Sequence, residues 1–288
     1  MDAISLAYEA DELYQKGKFD EALLFYDKAI EKDAEDATLW NRRGLALCRL
    51  GRHEEAILSF DTALRIDPHY TDAQNNKGVV FFKQKRYEQA IAYFDAIIRT
   101  DPSYVRAWYN KGVILNKLGR YQEAVDYYDK ALELNPSGAR VWSNRGAALG
   151  NMGDYEAALD CFDRSIALQP ERSEFWNNKG AALAKLHRYD EAMAHFDRAL
   201  QIDPLNADAW VSRGEALRRL SRYEEAIEDI DRAIEIDARH ARAWNSKGLA
   251  LMALGRDAEA NAAFAKGAEI MLNEDEREKA QEIRCSDK

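Results

Sequence analysis

Cysteine is scarce in this 288-residue chain: Cys48, Cys161 and Cys285 stand far apart, odd in number and in no CxxC pattern. Neither a disulfide framework nor a zinc site is indicated, and a reducing, intracellular setting fits best. No run of about 18 uncharged apolar residues exists, so no membrane helix is expected. The opening MDAISLAYEADELYQKGKFDEA carries acids where a signal peptide needs a basic start and an apolar run. A cytoplasmic protein is therefore the expectation. Catalytic constellations are missing too. His53, His69, His187, His195 and His240 are scattered without HExxH or other metal spacing, and neither G-x-G-x-x-G nor a P-loop occurs. Acid pairs such as Glu54 and Glu55 recur at the starts of predicted helices, where they suit the helix dipole. No enzyme activity, metal or cofactor is expected. Positive charge is in deficit, with 41 Lys and Arg against 51 Asp and Glu and a net charge of −10. That balance disfavours a nucleic-acid partner and leaves room for a locally basic groove.

What is present is a soluble globular balance, 47% hydrophobic and 32% charged, arranged with a period of 34 residues. Trp40, Trp108, Trp142, Trp176, Trp210 and Trp244 share one register, and Gln74 is the single interior departure. Four residues after each lies a glycine: Gly44, Gly78, Gly112, Gly146, Gly180, Gly214 and Gly248. A second column holds Ala22, Ala56, Ala90, Ala124, Ala158, Ala192, Ala226 and Ala260, each followed four residues later by Tyr, Phe or, at Ile230, isoleucine. Phe19, Tyr87, Tyr121, Tyr155, Tyr189 and Tyr223 precede the alanines, and Pro68, Pro102, Pro136, Pro170 or Pro204 closes the unit.

The order W-x3-G, aromatic, A-x3-F/Y, P resembles the tetratricopeptide repeat family over almost the whole chain. One departure is systematic: where the family carries Leu before the glycine, Arg43, Lys77, Lys111, Arg145, Lys179, Arg213 and Lys247 stand here. The resemblance implies an all-α, right-handed superhelical solenoid of antiparallel helix pairs, with each first helix, A, on a concave wall and each second helix, B, behind it. Eight hairpins are expected, at 3–36, 37–70, 71–104, 105–138, 139–172, 173–206, 207–240 and 241–272, with 273–288 as a charged capping helix and tail. Unit one has Leu6 and Ala10 in place of the tryptophan and glycine, which suits an end.

The local chemistry agrees. Trp176, Gly180, Leu183 and Leu186, then Tyr189, Ala192, Phe196 and Ala199, follow helical spacing on either side of a break. Gly51, Gly119, Gly153 and Gly255 can end helix A in the left-handed region without a steric cost. At Lys85, His187 and Ser221 the same turn should be mildly strained or differently shaped. Proline after Asp, Asn or Gln stops helix B. Neither helix can bury its apolar stripe alone, so each hairpin must stack on the next.

Asparagine inside helix A costs roughly 0.6 kcal/mol against alanine, so Asn76, Asn110, Asn144 and Asn178, in one column, call for a compensating role. An amide can pair with a peptide N–H and C=O together, and such a row would read main chain rather than side chains. With helices ~10 Å apart and a strand rising about 3.3 Å per residue, each asparagine would meet approximately every third residue of an extended peptide. Asparagine ladders of this kind line the repeats of O-linked N-acetylglucosamine transferase, and the resemblance implies a sequence-tolerant grip on polypeptide. The competing reading is that the amides bond neighbouring A helices or face water.

Flanking groove rows are Asn75, Tyr109, Ser143, Asn177 and Val211; Val79, Val113, Ala147, Ala181 and Glu215; and Phe82, Asn116, Gly150, Ala184 and Arg218. The small residues of units five and six leave room for a ligand. Arg106 and Arg140 each precede a ladder asparagine by four residues and would favour an acidic partner. The family's carboxylate clamp for chaperone termini is not matched, because no A helix supplies its opening Lys and Asn pair. The candidate partner-binding set is thus Asn76, Asn110, Asn144, Asn178, Arg106, Arg140, Tyr109, Asn75, Asn177, Phe82 and Asn116. The function expected is a non-catalytic protein-interaction scaffold; alternatives are self-assembly with a second copy and RNA binding, which the lack of an aromatic and basic row disfavours. Finally, Asp27, Asp61, Asp95, Asp129, Asp163, Asp197 and Asp231 form a column that could pair with the cations before the glycines. A further basic row, Arg49, Lys83, Lys117, Lys185 and Arg219, ends the A helices and would tint the groove rim positive.

Overall fold

The computed structural model describes residues 1–286, with side chains to Asn273. The chain divides into two compact units, Met1–Pro136 and a second from Ser137 onward. In the first, α1 (Ala3–Gln15), α2 (Phe19–Lys32), α3 (Ala37–Arg49), α4 (His53–Ile66), α5 (Thr71–Lys83), α6 (Tyr87–Thr100), α7 (Val105–Lys117) and α8 (Tyr121–Leu134) form four hairpins. In the second, α9 (Ala139–Asn151), α10 (Tyr155–Leu168), α11 (Ser173–Lys185), α12 (Tyr189–Ile202), α13 (Ala207–Arg219), α14 (Tyr223–Ile236), α15 (Ala241–Ala253) and α16 (Asp257–Ser286) do the same. No strand occurs among the described residues, and no helix is long and apolar enough to cross a membrane. Within each unit every B helix packs on the A helix that follows, and successive A helices touch, for example α3 with α5 and α11 with α13. Each unit is an all-α helical-repeat solenoid.

A Cβ built on Gly180 would lie 2.6 Å from Phe196 Cε1, and one on Gly44 2.5 Å from Phe60 Cε1. The ring of helix B thus occupies the space that any other residue of helix A would need, and Phe60 and Phe196 are fully buried as a result. Around these contacts lie the alanine column and the aliphatic residues of both helices, as in the cluster of Leu23, Leu47, Ala56, Phe60 and Val80.

Two loops join the helices. The A–B turn places Gly51, Gly119, Gly153 and Gly255 at φ between 72° and 89°, and Lys85, His187 and Ser221 take the same conformation at 60–61°. The non-glycine turns therefore keep the shape and carry strain, rather than adopting another geometry. At the B–A loop, helix B ends on Asp67, Asp101, Asp203 or Asp237, whose carboxylate accepts the backbone N–H two residues on at 2.9–3.1 Å. Ala238 follows Asp237, so this loop forms without the proline and the side-chain turn of the aspartate sustains it. The tryptophan column clamps the same loop. The indoles of Trp108, Trp176 and Trp210 donate to the carbonyls of Pro102, Pro170 and Pro204 at 2.8–2.9 Å. Gln74, the departure from the column, donates its amide to Pro68 O at 2.9 Å and so reproduces the bond of the indole it replaces.

The C-terminal segment differs from expectation. No separate helix begins at residue 273, because α16 runs unbroken from Asp257 to Ser286 with no proline or left-handed glycine to end it near Leu272. The side chains from Glu274 onward, and with them the expected capping contacts, lie outside the described residues.

Opposite responses are expected at two small-residue positions. Ser221→Gly removes a left-handed non-glycine and should raise stability by about 0.5–1 kcal/mol, whereas Gly180→Ala drives a methyl into Phe196 and should cost about 1–3 kcal/mol. Urea unfolding of the two variants beside the parent checks both signs.

Candidate binding walls of the A helices

Two ladders tie neighbouring repeats together, and both fall on residues that the period brings into register. The first is ionic and runs from helix B to the following helix A. Arg43 Nε lies 2.6 Å from Asp27, Lys179 Nζ 2.5 Å from Asp163, Arg213 Nη1 2.6 Å from Asp197 and Lys247 Nζ 2.6 Å from Asp231. Lys77 and Lys111 pair likewise with Asp61 and Asp95. The cations are the buried partners, with Lys77 side chain only 10% exposed and Asp61 48% exposed. Burial pushes the Lys77 and Lys111 ammonium groups down, but the bonds to their aspartates and to Tyr93 and Tyr127 outweigh it and hold both above the ordinary lysine value. Aromatic faces add to this: Lys111 Nζ sits 4.4 Å from the Tyr127 ring centre and the Arg213 guanidinium 4.6 Å from that of Trp210.

The second ladder is made of amides and runs from helix A to helix A. Asn76 Nδ2 donates to Asn41 Oδ1 at 2.9 Å, Asn110 Nδ2 to Asn75 Oδ1 at 2.9 Å, and Asn178 Nδ2 to Ser143 Oγ at 3.2 Å. Each asparagine is half-buried and spends one N–H on the preceding repeat. The competing sequence reading, bonds between neighbouring A helices, thus describes one donor of the amide. The carbonyl oxygen and second N–H of Asn110 and Asn178 make no further hydrogen bond among the described residues. Asn144 takes the same half-buried position on α9.

Other candidate residues divide. Asn75 is 4% exposed and acts as a relay, accepting from Asn110 and facing Asn76 at 3.5 Å, so it belongs to the interior rather than to an open wall. Asn177 occupies the equivalent place in the second unit, but its Oδ1 is buried without a donor. The next rung there is Ser212, shorter than asparagine, and its Oγ lies 3.5 Å from Arg242 Nη2 instead. Phe82 packs on Tyr87, ring centres 6.0 Å apart, at the edge of the Phe94 cluster, so its ring is partly core. Tyr109 lies 6.2 Å from Tyr128 in the same manner, and Asn116 is half-buried near the end of α7. Arg106 is 70% exposed and contacts Asp72 at 3.3 Å, while Asn110 turns to Asn75, so the pair shares a helix without converging on one point. Arg140 is exposed at the start of α9.

On the wall of the second unit the structure opens a cavity beside the small residues of unit six, Ala181 and Ala184. Ala181, Ala184 and Lys185 of α11, His187, and Ser212, Glu215, Arg218 and Arg219 of α13 enclose about 630 Å³ with Arg242 of α15. Its sequence signal is two alanines one repeat away from Glu215 and Arg218, small side chains beside long ones. In the first unit a smaller cavity of about 180 Å³ lies among Tyr14, Leu45, Cys48, Arg49, Asn76, Val79 and Lys83. Basic residues at the ends of the A helices, Arg49, Lys83, Lys185 and Arg219, border both.

Family profiles described as tetratricopeptide repeat match residues 9–71, 59–105, 75–139 and 144–207, and further profiles of the same description match 127–160, 183–249 and 241–270. The chain belongs to the tetratricopeptide repeat family. A tetratricopeptide repeat protein from Parabacteroides merdae has a similar fold, with a TM-score of 0.69 at 19% identity over 86% of this chain and 98% of that one. A chain of the APC/C hetero-tetramer Cut9–Hcn1 is also similar in fold, with a TM-score of 0.73 at 19% identity over 84% of this chain and 48% of that one. No curated protein sequence matches. Tetratricopeptide repeats generally serve as protein-interaction scaffolds, and their repeat junctions explain why the ladders here recur in step.

The missing amide rung can be supplied. Ser212→Asn places a donor opposite the orphaned Asn177 oxygen, and relief of that buried acceptor should raise stability by about 1 kcal/mol, readable as an increased urea midpoint with an unchanged slope.

Proposed function

We propose that this tetratricopeptide repeat protein is a non-catalytic, cytoplasmic scaffold whose A-helix walls hold an extended segment of a partner protein. The observation that carries this reading is the half-committed amide. A first N–H bonded to the neighbouring helix restrains the side chain, and the remaining N–H and carbonyl of Asn110 and Asn178 stay available to a peptide unit. Pre-orientation lowers the entropy that a flexible amide would lose on binding. Basic residues along the ends of the A helices favour an acidic segment, in contrast to the net charge of −10 over the whole chain. The three widely spaced cysteines fit the reducing compartment.

Partner recovery from the natural lysate by wild type and by Asn110→Ala combined with Asn178→Ala tests the reading. The double variant should remain folded, losing about 0.5–1.5 kcal/mol per rung, and should retain less than a tenth of the partner; equal recovery would count against the amide mechanism.

Self-association is a second reading, favoured by the apolar face of α1, where Ile4 is 80% and Tyr8 68% exposed at adjacent turns. Sedimentation equilibrium would then show a concentration-dependent mass that Ile4→Glu abolishes, and a constant monomer mass removes this reading.

A further inference from the structure

The cavity on the second unit's wall has a charge balance that its protein neighbours do not settle. Glu215, the acidic residue lining it, is already committed: Arg242 donates Nη2 to Oε2 at 2.6 Å and Nε to Oε1 at 3.0 Å, and the Ser246 hydroxyl donates to Oε1 at 2.7 Å. Burial pushes this carboxyl up, but those donors more than offset it and keep it ionised below the ordinary glutamate value. Lys185, Arg218 and Arg219 line the same cavity without a salt bridge among the described residues, Arg218 reaching Glu215 only through its charge. Arg218 Nε is buried with no acceptor at all. That atom is closed to the opening, so the terminal nitrogens of the guanidinium are the donors that a ligand would meet.

We propose that this cavity binds a doubly charged side-chain group of an extended peptide, either a phosphorylated serine or threonine or two adjacent carboxylates. This rests on the reading of the wall as a peptide-holding surface. Three cations around one opening exceed what a single carboxylate balances, and a guanidinium offers the paired donors that phosphate or carboxylate oxygens accept side by side. A phosphoryl group brings about two negative charges and three acceptor oxygens. Ala181 and Ala184 line the cavity with short side chains, and about 630 Å³ accommodates such a group with flanking main chain. Asn178, Ala181 and Lys185 follow at i, i+3 and i+7 on α11, so a main chain gripped by the Asn178 amide passes over the opening.

Fluorescence anisotropy with three labelled peptides, identical in a neutral Gly/Ser/Ala background except for a central phosphoserine, an Asp-Glu pair or an unmodified serine, tests the proposal. The two acidic peptides should bind wild type at least about tenfold tighter than the neutral one, with added salt narrowing the gap. Arg218→Gln combined with Arg219→Gln should erase that advantage, and so should Ala184→Glu, which leaves both arginines in place and puts a carboxylate in the lining. Asn178→Ala should weaken all three peptides alike. Thermal melts of each variant separate loss of binding from loss of fold. If all three peptides bind wild type equally and Asn178→Ala weakens them, the peptide wall stands and the anionic cavity is overturned. If none binds, both fall. Inorganic phosphate competing at the phosphopeptide's own affinity would overturn the peptide part of the assignment, and tighter binding of a single-stranded RNA oligomer than of any peptide would overturn it altogether.

Discussion

The spacing of the two helices in seven of the eight hairpins depends on one steric constraint, a helix A glycine against which a large helix B side chain packs. At seven junctions a glycine stands in that column, and the side chains opposite are Phe, Tyr or Ile230. Once that distance is set, the alanines one turn earlier on helix B close up, the tryptophan or Gln74 reaches the loop carbonyl, and the cation before the glycine swings to the preceding aspartate. The polar ladders are thus consequences of close packing, and their register is the register of the glycines.

Those ladders divide the labour between repeats. Ion pairs run from B to A and lie around the rim of the core, with the cation sheltered and the carboxylate in contact with water, so each is held without full desolvation of both charges. Amides run from A to A and occupy the wall itself. An asparagine in mid-helix is a poor helix former, and its interhelix bond recovers part of that cost while restraining the side chain. Where the rung changes to serine, at Ser212, the ladder stops and the wall opens into the basic cavity. Loss of the amide, small residues on α11, and Arg218 and Arg219 of α13 without a salt bridge therefore coincide in one place.

Much of the fold was legible because the same interactions recur. Seven glycines and eight alanines at one period leave little choice of helix pairing, and the aspartate and cation columns could be named as partners, though not which neighbouring helices they join, before any distance was known. Legibility ended where an outcome depended on side-chain reach. Asparagine 75 and asparagine 177 share a column, yet one is a bonded relay and the other an orphan, and the difference lies in the residue one repeat further on. Phe82 read as groove from its helical phase, but its length lets it fold back on Tyr87. The C-terminal boundary was misplaced because charge density suggested a new element, although nothing in the residues after Leu272 compels the backbone to leave its helix.

The ionic ladder also gives the stack a direction and two unlike faces. At the position where every later A helix carries its cation, α1 has Glu9, and where the earlier B helices carry aspartate, α16 has Ala265. A foreign hairpin laid against α1 would bring a carboxylate to a carboxylate, and one laid beyond α16 would offer a lysine to a methyl group. Between two copies stacked head to tail, Glu9 would meet Ala265, so the ionic ladder that joins repeats within the chain would gain no rung at that junction.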